Sequence, residues 1–497
     1  MMLAERASLA SPMPLGELLG RADESIAQTM VSGLELDSRC VRPGDLFLAM
    51  PGDVHDGRQF IEQAVANGAS AIVAEAPAAG FVDALQVPLV EVPELRLEAG
   101  PIAARFYGYP SRNMHVVGIT GTNGKTTTSR IVAQLSRSLG KQCGVIGTLG
   151  ATLGDDVAEA ANTTPDPVAL QRQLATWQRQ GVPVVSMEVS SHALVQGRVN
   201  GVEFTTAIFT NLSHDHLYYH GSMADYARAK MRLFAVEGLR HAVINLDDEL
   251  AAMIAAATVS GARIVTYSAR GGDADLRVLD ARSHAGGVHA TLRSPWGRGE
   301  FDSPLPGDFN LANLAAAIAA LLLAGEELLA VLRAVRELQP VAGRMQRIPN
   351  EHGLQVFVDY AHTPHALEQV LQALRPHVAG RLITVFGCGG DRDREKRQVM
   401  GRVASTLSDA VVVTSDNPRS EEPSSIIRDI AAGLTGDYTL EPDRAVAIAA
   451  ALDSAREGDC VLIAGKGHED YQLIEGQRLP FSDAQAALDA LARRLPA

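Results

Sequence analysis

The sequence contains little cysteine, few aromatic residues and no excess of positive charge, and each shortage excludes a class of protein. Among 497 residues there are 4 cysteines, and 5% of all residues are aromatic. The cysteines lie far apart and form no C-x-x-C pair, which argues against a disulfide framework and against a cysteine zinc site. Thiols distributed in this way are typical of a reduced, cytoplasmic protein.

The charge balance is acidic, with a formal net charge of −14. A protein that binds nucleic acid without regard to sequence needs a basic face. We therefore expect no nucleic-acid partner. Small anionic substrates remain possible, because they need only a local cluster of hydrogen-bond donors.

Long apolar runs are also missing. The longest one, Leu314–Gly325, is too short to cross a bilayer and is typical of a core helix. The first fifteen residues contain no continuous apolar segment of the kind found in secretory signals. We expect a cytoplasmic protein with no membrane partner.

The length favours roughly three domains. Short apolar strands alternate with helix-patterned segments in three blocks, which we assign to residues 1–97, 98–341 and 342–497. Continuous apolar strands that alternate with helices predict parallel sheets covered on both faces. The predicted fold class is α/β, with a central P-loop ATPase-like parallel sheet and a C-terminal doubly wound, Rossmann-like sheet.

A glycine-rich segment, "GITGTNGKTTT", follows an apolar strand and precedes a helical pattern. Glycines let backbone N–H groups approach phosphates, Lys125 can reach the terminal phosphates, and the Thr126 hydroxyl can bind magnesium. The strict P-loop pattern requires glycine where Ile119 stands. The strand, the G-K-T-T sequence and the following helix together predict ATP binding.

Oxygen-bearing side chains follow two further strands of the central block. Glu188 ends one strand, and Asn211, Asp215 and His216 follow another. Magnesium prefers one or two carboxylates together with phosphate oxygens. Each of these residues alone is equally compatible with a turn or a helix cap, but together they predict a metal and phosphate site. Lys230 has only the pattern of a solvated helix face.

In the third block, polar clusters follow the predicted strands: "DYAHTPH", "GCGGDRDREKR", "SDNPR" and "GKGHED". A doubly wound sheet binds ligands at the carboxyl ends of its strands. The segment Asp416–Arg419 is compatible with a proline-stiffened turn and with a clamp for a ligand that carries charges of both signs.

Eleven motifs in this order resemble those of the Mur ligase family over nearly the whole chain: "LDSRCVRPGDLFLAMPG", "GITGTNGKTTT", "NTTPDP", "EVSSHALVQGRV", "TNLSHDHLYYHG", "ARAK", "GDFNLANLAAA", "DYAHTP", "GDRDREKR", "SDNPR" and "GKGHEDYQ". The resemblance implies an ATP-dependent ligase of peptidoglycan precursor synthesis. It would add meso-diaminopimelate to the D-glutamate γ-carboxylate of UDP-N-acetylmuramoyl-L-Ala-D-Glu through an acyl phosphate. It also implies Mg²⁺ as cofactor and ATP as co-substrate, and we predict a monomer.

The resemblance further implies a set of residues for each of the two nucleotide substrates. The residues for the UDP-linked substrate are Leu36, Ser38, Asp53, Val54, His55, Asn162, Thr163, Thr164, Ser190, Gln196 and Arg198. The residues for ATP are Gly121, Thr122, Asn123, Gly124, Lys125, Thr126, Thr127, Asn310 and Asn313.

For the chemistry, the resemblance implies Lys125, Glu188, His216 and Lys230 as catalytic residues. The implied magnesium neighbours are Thr126, Glu188, His216 and Lys230, the last as a carbamate. The implied residues for the incoming amino acid are Arg392, Asp416, Asn417, Pro418, Arg419, Gly465 and Glu469. In this family D-N-P-R marks members that use meso-diaminopimelate, and a guanidinium such as that of Arg419 suits the carboxylate that lysine lacks.

Two alternatives remain. A sibling ligase would add L-lysine or D-Ala-D-Ala, or would extend folate with glutamate. A P-loop switch or transport ATPase belongs to a different class, and ATP turnover by such a protein would not depend on a sugar peptide and an amino acid.

Overall fold

The computed structural model of the chain describes residues 9–21, 26, 28–52, 55–78, 80–81, 85–158, 162–284 and 287–494. Three larger sheets follow one another along these residues, with four, eleven and six strands, and two two-stranded ribbons accompany them. Helices connect most of the strands. This architecture confirms the predicted α/β class.

The first sheet has the order β3-β4-β5-β6, and all its strands are parallel. Both faces of β4 and β5 are covered, which explains their continuous apolar sequence. The strands of this part are β1 (Met13–Pro14), β2 (Met30–Val31), β3 (Gly33–Glu35), β4 (Asp45–Ala49), β5 (Ala71–Glu75) and β6 (Leu89–Val92). The helices are α1 (Leu15–Leu19), α2 (Ile61–Ala66) and α3 (Leu95–Phe106), with 3₁₀ turns at Ser38–Cys40 and Gly57–Phe60.

The strands of the second sheet are β7 (His115–Thr120), β8 (Cys143–Gly147), β9 (Gly150–Leu153), β10 (Asp156–Ala158), β11 (Val184–Glu188), β12 (Thr206–Phe209), β13 (His241–Asn245), β14 (Arg263–Ser268), β15 (Leu276–His284), β16 (Gly287–Ser294) and β17 (Gly297–Ser303). Their order is β10-β9-β8-β11-β7-β12-β13-β14-β15-β16-β17. From β8 to β15 neighbouring strands are parallel. Antiparallel strands extend both edges, a feature that the sequence did not lead us to expect.

The helices of this part are α4 (Lys125–Ser138), α5 (Pro167–Arg179), α6 (Ser191–Val195), α7 (Leu217–His220), α8 (Met223–Met231), α9 (Ala251–Ala257), α10 (Asp308–Leu323) and α11 (Leu328–Ala334), with 3₁₀ turns at Pro110–Asn113 and Val335–Glu337. Helix α4 buries an apolar stripe that includes Ile131 and Leu135. Helix α10 is apolar almost all round and lies in the same core cluster, as predicted for Leu314–Gly325.

The third sheet has the order β18-β19-β23-β20-β21-β22 and is parallel except for β18. The strands of this part are β18 (Gln346–Arg347), β19 (Gln355–Asp359), β20 (Leu382–Phe386), β21 (Ala410–Val413), β22 (Tyr438–Leu440), β23 (Cys460–Ala464), β24 (Tyr471–Ile474) and β25 (Gln477–Pro480). The helices are α12 (Pro364–Leu374), α13 (Glu395–Leu407), α14 (Pro423–Ala431), α15 (Arg444–Ser454) and α16 (Asp483–Arg493), with a 3₁₀ turn at Arg375–His377.

Helices α12, α13 and α14 form a core with one face of this sheet, and α15 and α16 form a core with the other face. The doubly wound arrangement predicted for the C-terminal sheet is therefore confirmed.

No helix in the described ranges is both long enough and apolar enough to cross a membrane.

A tight backbone approach inside the second sheet gives a stability prediction. A Cβ added to Gly144 in β8 would lie 2.6 Å from two ring carbons of Trp177 in α5, and that indole is buried. We expect Gly144→Ala to lower the free energy of unfolding by about 1–3 kcal/mol, because the ring has no space to move into.

Urea denaturation measures this effect, and Trp177→Leu provides the matched test. If the clash is the cause, the double variant will be more stable than the sum of the two single effects predicts. Strictly additive effects would contradict this explanation.

Candidate functional site

A cleft of about 800 Å³ lies between the carboxyl ends of the second and third sheets. Both sheets contribute to its lining: Lys125, Thr126 and Glu188 come from the second, and Tyr360, His362 and Arg392 from the third. Because parallel strands direct their carboxyl ends to one edge of a sheet, the polar clusters that follow them converge here.

The glycine-rich turn between β7 and α4 is held by the loop that follows β12. The backbone N–H of Thr122 donates to the Asn211 carbonyl at 2.8 Å, and the N–H of Asn123 donates to Asn211 Oδ1 at 2.9 Å. Gly124 has a φ of 84°, and a Cβ there would lie 2.3 Å from Asn313 Oδ1. This position therefore requires glycine, and the turn is held in place before any ligand binds.

The Nζ atoms of two lysines meet at one carbonyl of this turn. Lys125 Nζ donates to the Gly121 carbonyl at 2.9 Å, and Lys230 Nζ donates to the same oxygen at 2.7 Å. Burial lowers the pKa of Lys125. It lowers the pKa of Lys230 well below its usual value, and the charge of Lys125 acts in the same direction. Two lysine nitrogens so close together provide hydrogen-bond donors that are suited to phosphate oxygens.

Lys230 does not lie on a solvated helix face, as the pattern of charges alone suggested. Its side chain is 1% exposed, and Nζ lies 4.3 Å from the centre of the Tyr226 ring. The surrounding sequence gave no sign of this burial, because the neighbouring Arg228 and Arg232 are charged as well.

Glu188 is buried at the end of β11, where three donors fix its carboxylate. Thr126 Oγ1 donates to Oε2 at 2.9 Å, and the Thr148 N–H donates to Oε1 at 2.9 Å. The Thr148 hydroxyl donates to Oε2 at 3.2 Å. The carboxylate is thus held directly beside the first turn of α4, within the cleft.

His216 lines the same cleft as Glu188 and has a left-handed backbone conformation, with a φ of 55°. Its Nε2 lies 3.3 Å from Asp215 Oδ2, and its Nδ1 is buried without a hydrogen-bond partner in the part of the chain that the structure describes. Burial lowers the pKa of this imidazole, so the ring is neutral at pH 7. A neutral ring keeps a lone pair for a ligand.

Asn310 and Asn313, which were predicted to bind ATP, lie in the first turns of α10. Asn313 Nδ2 donates to Asn310 Oδ1 at 3.2 Å, and Asn310 Nδ2 donates to the Pro306 carbonyl at 2.7 Å. Both side chains line the cleft beside Tyr267 and Asn245.

Arg344 is a cleft residue that sequence reasoning missed. It lies in the segment between the second and third sheets, and its NH2 donates to Thr126 Oγ1 at 3.1 Å. Its Nε is buried and has no partner among the described residues, and its guanidinium lies 4.3 Å from the centre of the Tyr360 ring. An arginine in the segment between the second and third predicted blocks was the available signal.

A second cavity of about 520 Å³ opens between the first and second sheets. Of the residues predicted for the UDP-linked substrate, it is lined by Leu36, Ser38, His55, Gln196 and Arg198. Asp53 and Val54 lie outside the described residues. Arg39 and Arg96 also line this cavity, and the sequence analysis did not select them.

The other residues predicted for this substrate lead from the second cavity toward the main cleft. Arg198 NH1 donates to the Thr164 carbonyl at 3.0 Å, and Thr164 Oγ1 donates to the Glu188 carbonyl at 2.9 Å. Thr163 and Ser190 line the main cleft itself. Asn162 is exposed beside them.

The segment Asp416–Arg419 follows β21 and is held by the ribbon β24–β25. Arg419 has a φ of 54°, and its backbone N–H donates to the Leu473 carbonyl at 2.9 Å. A non-glycine residue in this conformation is strained and needs such support. The backbone of Arg419 is therefore fixed by its contact with the ribbon, and the proline-stiffened turn anticipated from the sequence stays a prediction.

The Arg419 guanidinium lacks a carboxylate partner. Its NH1 donates to the Gly390 carbonyl at 2.7 Å, and within the described ranges no carboxylate lies at ion-pair distance. Asp416 and Asn417 are buried beside it. Arg392, from the same loop as Gly390, reaches the main cleft, where its NH1 donates to Tyr218 Oη at 3.3 Å.

Glu469 and Asn417 are connected through a buried lysine that the sequence analysis did not select. Lys466 Nζ donates to Asn417 Oδ1 at 3.0 Å and to Glu469 Oε2 at 2.9 Å. Asn417 Nδ2 also donates to Glu469 Oε2, at 2.7 Å. Gly465 precedes this group, and a Cβ there would lie 2.5 Å from Asp416 Oδ2.

The described residues contain no group of three or more His, Cys, Asp or Glu side chains that could hold a metal ion by themselves. Magnesium commonly binds one or two carboxylates and completes its shell with phosphate oxygens and water. Glu188 beside the Thr126 hydroxyl fits a magnesium ion of that kind.

Three segments of the chain match models of known protein families. Residues 30–107 match "Mur ligase family, catalytic domain", residues 119–321 match "Mur ligase middle domain", and residues 343–467 match "Mur ligase, glutamate ligase domain".

Relatives are similar over nearly the whole chain. A UDP-N-acetylmuramoyl-L-alanyl-D-glutamate–2,6-diaminopimelate ligase of Pseudomonas aeruginosa is 49% identical, over 97% of this chain and 98% of its own length. A protein of the same name from Coxiella burnetii is 45% identical, over 96% of this chain and 99% of its own.

Solved structures are also similar over most of the chain. A ligase of that name has a TM-score of 0.72 at 38% identity and covers 97% of this chain and 99% of its own. A MurF ligase from Thermotoga maritima in complex with ADP has a TM-score of 0.64 at 19% identity, over 92% of this chain and 96% of its own, and shows similarity of fold.

The burial of Lys230 gives a prediction about stability. Because its pKa is lowered in the folded state, the unfolded chain binds this proton more tightly at neutral pH. Lys230→Met should therefore raise the free energy of unfolding at pH 7 by about 0.5–2 kcal/mol, the usual gain when a residue kept for function is replaced.

Stability of the wild type should also rise with pH toward the unfolded-state pKa of 10.5, and the variant should lose this contribution. Urea denaturation without nucleotide, at several pH values, measures both effects. The control is Lys141→Met, which removes a partly exposed lysine. A less stable Lys230→Met variant would contradict the prediction.

Proposed function

This chain belongs to the Mur ligase family, and we propose that it joins meso-diaminopimelate to the D-glutamate γ-carboxylate of UDP-N-acetylmuramoyl-L-Ala-D-Glu. It is an ATP-dependent ligase that forms an amide bond, a step of peptidoglycan precursor synthesis. The observation that carries this assignment is the shared cleft, because Arg392 and the glycine-rich turn of residues 121–127, the phosphate loop, both line it.

The reaction needs ATP because a carboxylate is a poor electrophile. Transfer of the γ-phosphoryl group to the γ-carboxylate gives an acyl phosphate and ADP. The neutral amine of the amino acid then attacks the acyl carbon, a tetrahedral intermediate forms, and phosphate leaves with one former carboxylate oxygen. The amine nitrogen gives up a proton, and no nucleophilic side chain is required.

Phosphoryl transfer depends mainly on positioning and on charge neutralisation. We assign the ATP phosphates to the turn Gly121–Thr127, with Lys125 and Arg344 as the cations beside the transferred group. On binding, Lys125 Nζ would exchange the Gly121 and Thr122 carbonyls for phosphate oxygens. Asn310 and Asn313 would contact the adenine.

Glu188 and the Thr126 hydroxyl would hold Mg²⁺, with His216 beside them. When bound, the ion supplies positive charge to the phosphate oxygens. The three hydrogen bonds on the Glu188 carboxylate fix it in the cleft before ligands arrive.

Lys230 would act as a carbamate, as the motif match to the family implies. Only a neutral amine reacts with CO₂, forming a carbamate and releasing a proton, and the lowered pKa of this amine favours that form. The product carries a negative charge beside Lys125, at the position where the two Nζ atoms now share one carbonyl. Lys230 and His216 would position charged groups, without acting as acid or base.

The UDP-linked substrate would occupy the cavity lined by Leu36, Ser38 and His55, and its peptide would extend past Arg198, Thr164 and Ser190. This route leads from the 520 Å³ cavity to the main cleft. The D-glutamate carboxylate would thereby reach the phosphate loop.

The incoming amino acid would bind at Asp416–Arg419, with Arg392, Gly465 and Glu469. Arg419, which has no carboxylate partner in the described ranges, would bind the distal carboxylate. L-Lysine lacks this carboxylate and would leave the half-buried guanidinium unpaired, which costs about 2–5 kcal/mol.

The chain would divide these tasks among residues 1–97, 98–341 and 342–497, which bind the UDP-linked substrate, ATP and the amino acid respectively. We propose a cytoplasmic monomer that has no nucleic-acid or membrane partner.

Phosphate release tests the function. The full-length protein receives UDP-N-acetylmuramoyl-L-Ala-D-Glu, Mg²⁺ and ATP with meso-diaminopimelate, with L-lysine or with no amino acid. We expect turnover and a new peptide product with meso-diaminopimelate only. Preference for L-lysine would support a ligase but contradict the assignment of Arg419 to the distal carboxylate. Equal phosphate release in all three reactions would support an ATPase of another class.

The role of Arg419 gives a separate prediction. Arg419→Met should raise KM for meso-diaminopimelate by about 10²-fold or more, because the carboxylate loses its charged partner. The KM for ATP should not change. Steady-state kinetics measures both values.

Arg394→Met is the matched control, because it removes an exposed arginine of the neighbouring loop that pairs with Asp429. An unchanged KM for meso-diaminopimelate in Arg419→Met would show that the distal carboxylate binds elsewhere.

A further inference from the structure

A fully buried ion pair lies beneath the proposed amino-acid site. Arg444 is the first residue of α15 and Asp483 the first residue of α16, and both side chains are 0% exposed. Arg444 Nε donates to Asp483 Oδ1 at 2.7 Å, and NH2 donates to Oδ2 at 2.8 Å. This two-bond geometry gives the guanidinium a fixed orientation.

The other donors of Arg444 bind two backbone carbonyls of the proposed site. NH1 donates to the Ser415 carbonyl at 3.2 Å, and NH2 donates to the Ala464 carbonyl at 2.9 Å. Ser415 directly precedes Asp416, and Ala464 directly precedes Gly465. One guanidinium therefore connects the two loops that would hold the amino acid.

The sheet itself does not make this connection. The loops leave β21 and β23, and β20 lies between these strands in the sheet. No ladder hydrogen bond therefore joins the two strand ends directly, and only the two ladders of β20 relate them. The Arg444 side chain bonds to the Ser415 and Ala464 carbonyls and so joins the two strand ends across β20.

Two hydrogen bonds depend on the distance between these strand ends, and both are short. Asn417 Nδ2 donates to Glu469 Oε2 at 2.7 Å, and Lys466 Nζ donates to Asn417 Oδ1 at 3.0 Å. Both bonds run between the same two loops, and a shift of one loop by about 1 Å would break them.

We propose that Arg444 and Asp483 are a positioning pair that holds Asp416–Arg419 and Gly465–Glu469 at the separation that meso-diaminopimelate requires. The inference rests on the proposed function, and it adds that selectivity for the amino acid depends on two residues that never touch it. Burying a charged pair is costly, and apolar replacements often stabilise a protein as well or better. Stability alone therefore does not account for an ion pair at this position.

The test uses the full-length double variant Arg444→Met/Asp483→Leu, which replaces the pair by apolar side chains. The variant should still fold, because replacing a buried ion pair by apolar side chains is often neutral or stabilising and so offsets the loss of the two carbonyl contacts. The KM for meso-diaminopimelate should rise about tenfold or more, since displacements near 1 Å have effects of this size or larger. The preference for meso-diaminopimelate over L-lysine should fall, while KM for ATP and for the UDP-linked substrate should stay the same.

The control is Arg381→Met/Asp459→Leu, a pair in the same sheet. Arg381 NH2 donates to Asp459 Oδ2 at 2.9 Å just before β20 and β23 begin, at the end opposite the site. This variant should leave KM for meso-diaminopimelate and the preference over lysine unchanged. Equal losses of preference in the two double variants would overturn the proposal.

A folded Arg444→Met/Asp483→Leu variant with KM within about twofold of the wild type would also overturn it. If that variant does not fold, Arg444→Lys decides the question. A lysine keeps the charge beside Asp483 but lacks the fork that reaches both carbonyls, so the same rise in KM is expected, and an unchanged KM refutes the proposal. If phosphate release by the wild type does not depend on meso-diaminopimelate, the proposed function is refuted instead.

Discussion

Two parallel sheets direct the carboxyl ends of their strands at one cleft, and the proposed chemistry depends on this opposition. The phosphate loop leaves β7 on one side, and Tyr360 and Arg392 follow strands on the other. Arg344, from the connecting segment, crosses to Thr126 at 3.1 Å. Phosphoryl transfer and amide formation act on the same carboxylate, so their donors must face each other. The sheet geometry places them there.

The cleft is built from buried charges that a stable core would avoid. Lys125 and Lys230 share one carbonyl oxygen, and Lys466 and Arg444 lie buried below the segments Asp416–Arg419 and Gly465–Glu469. Burying such groups lowers the free energy of unfolding unless ligands or partner residues compensate their charges. The protein thus gives up stability to hold charge in fixed positions, a common relation between stability and activity at functional sites.

Much of the fold follows from local pattern. The strand, turn and helix around Lys125 are contiguous, and the apolar run Leu314–Gly325 lies within a buried helix. The antiparallel strands β15–β17 were not predicted, because a half-exposed strand with many charged residues gives a weak signal. Contacts such as Arg344 with Thr126 and Arg444 with Asp483 join distant parts of the chain, so they depend on tertiary packing that no local pattern encodes.

In the proposed mechanism, ATP and the amino acid act in turn on one carboxylate in one cleft. A UDP-linked dipeptide with ¹⁸O in the D-glutamate γ-carboxylate, followed by mass spectrometry of the phosphate released with meso-diaminopimelate, tests this sequence of steps. We expect one ¹⁸O atom in each phosphate, because phosphate leaves with an oxygen of that carboxylate. Phosphate without label, accompanied by normal product formation, would contradict it.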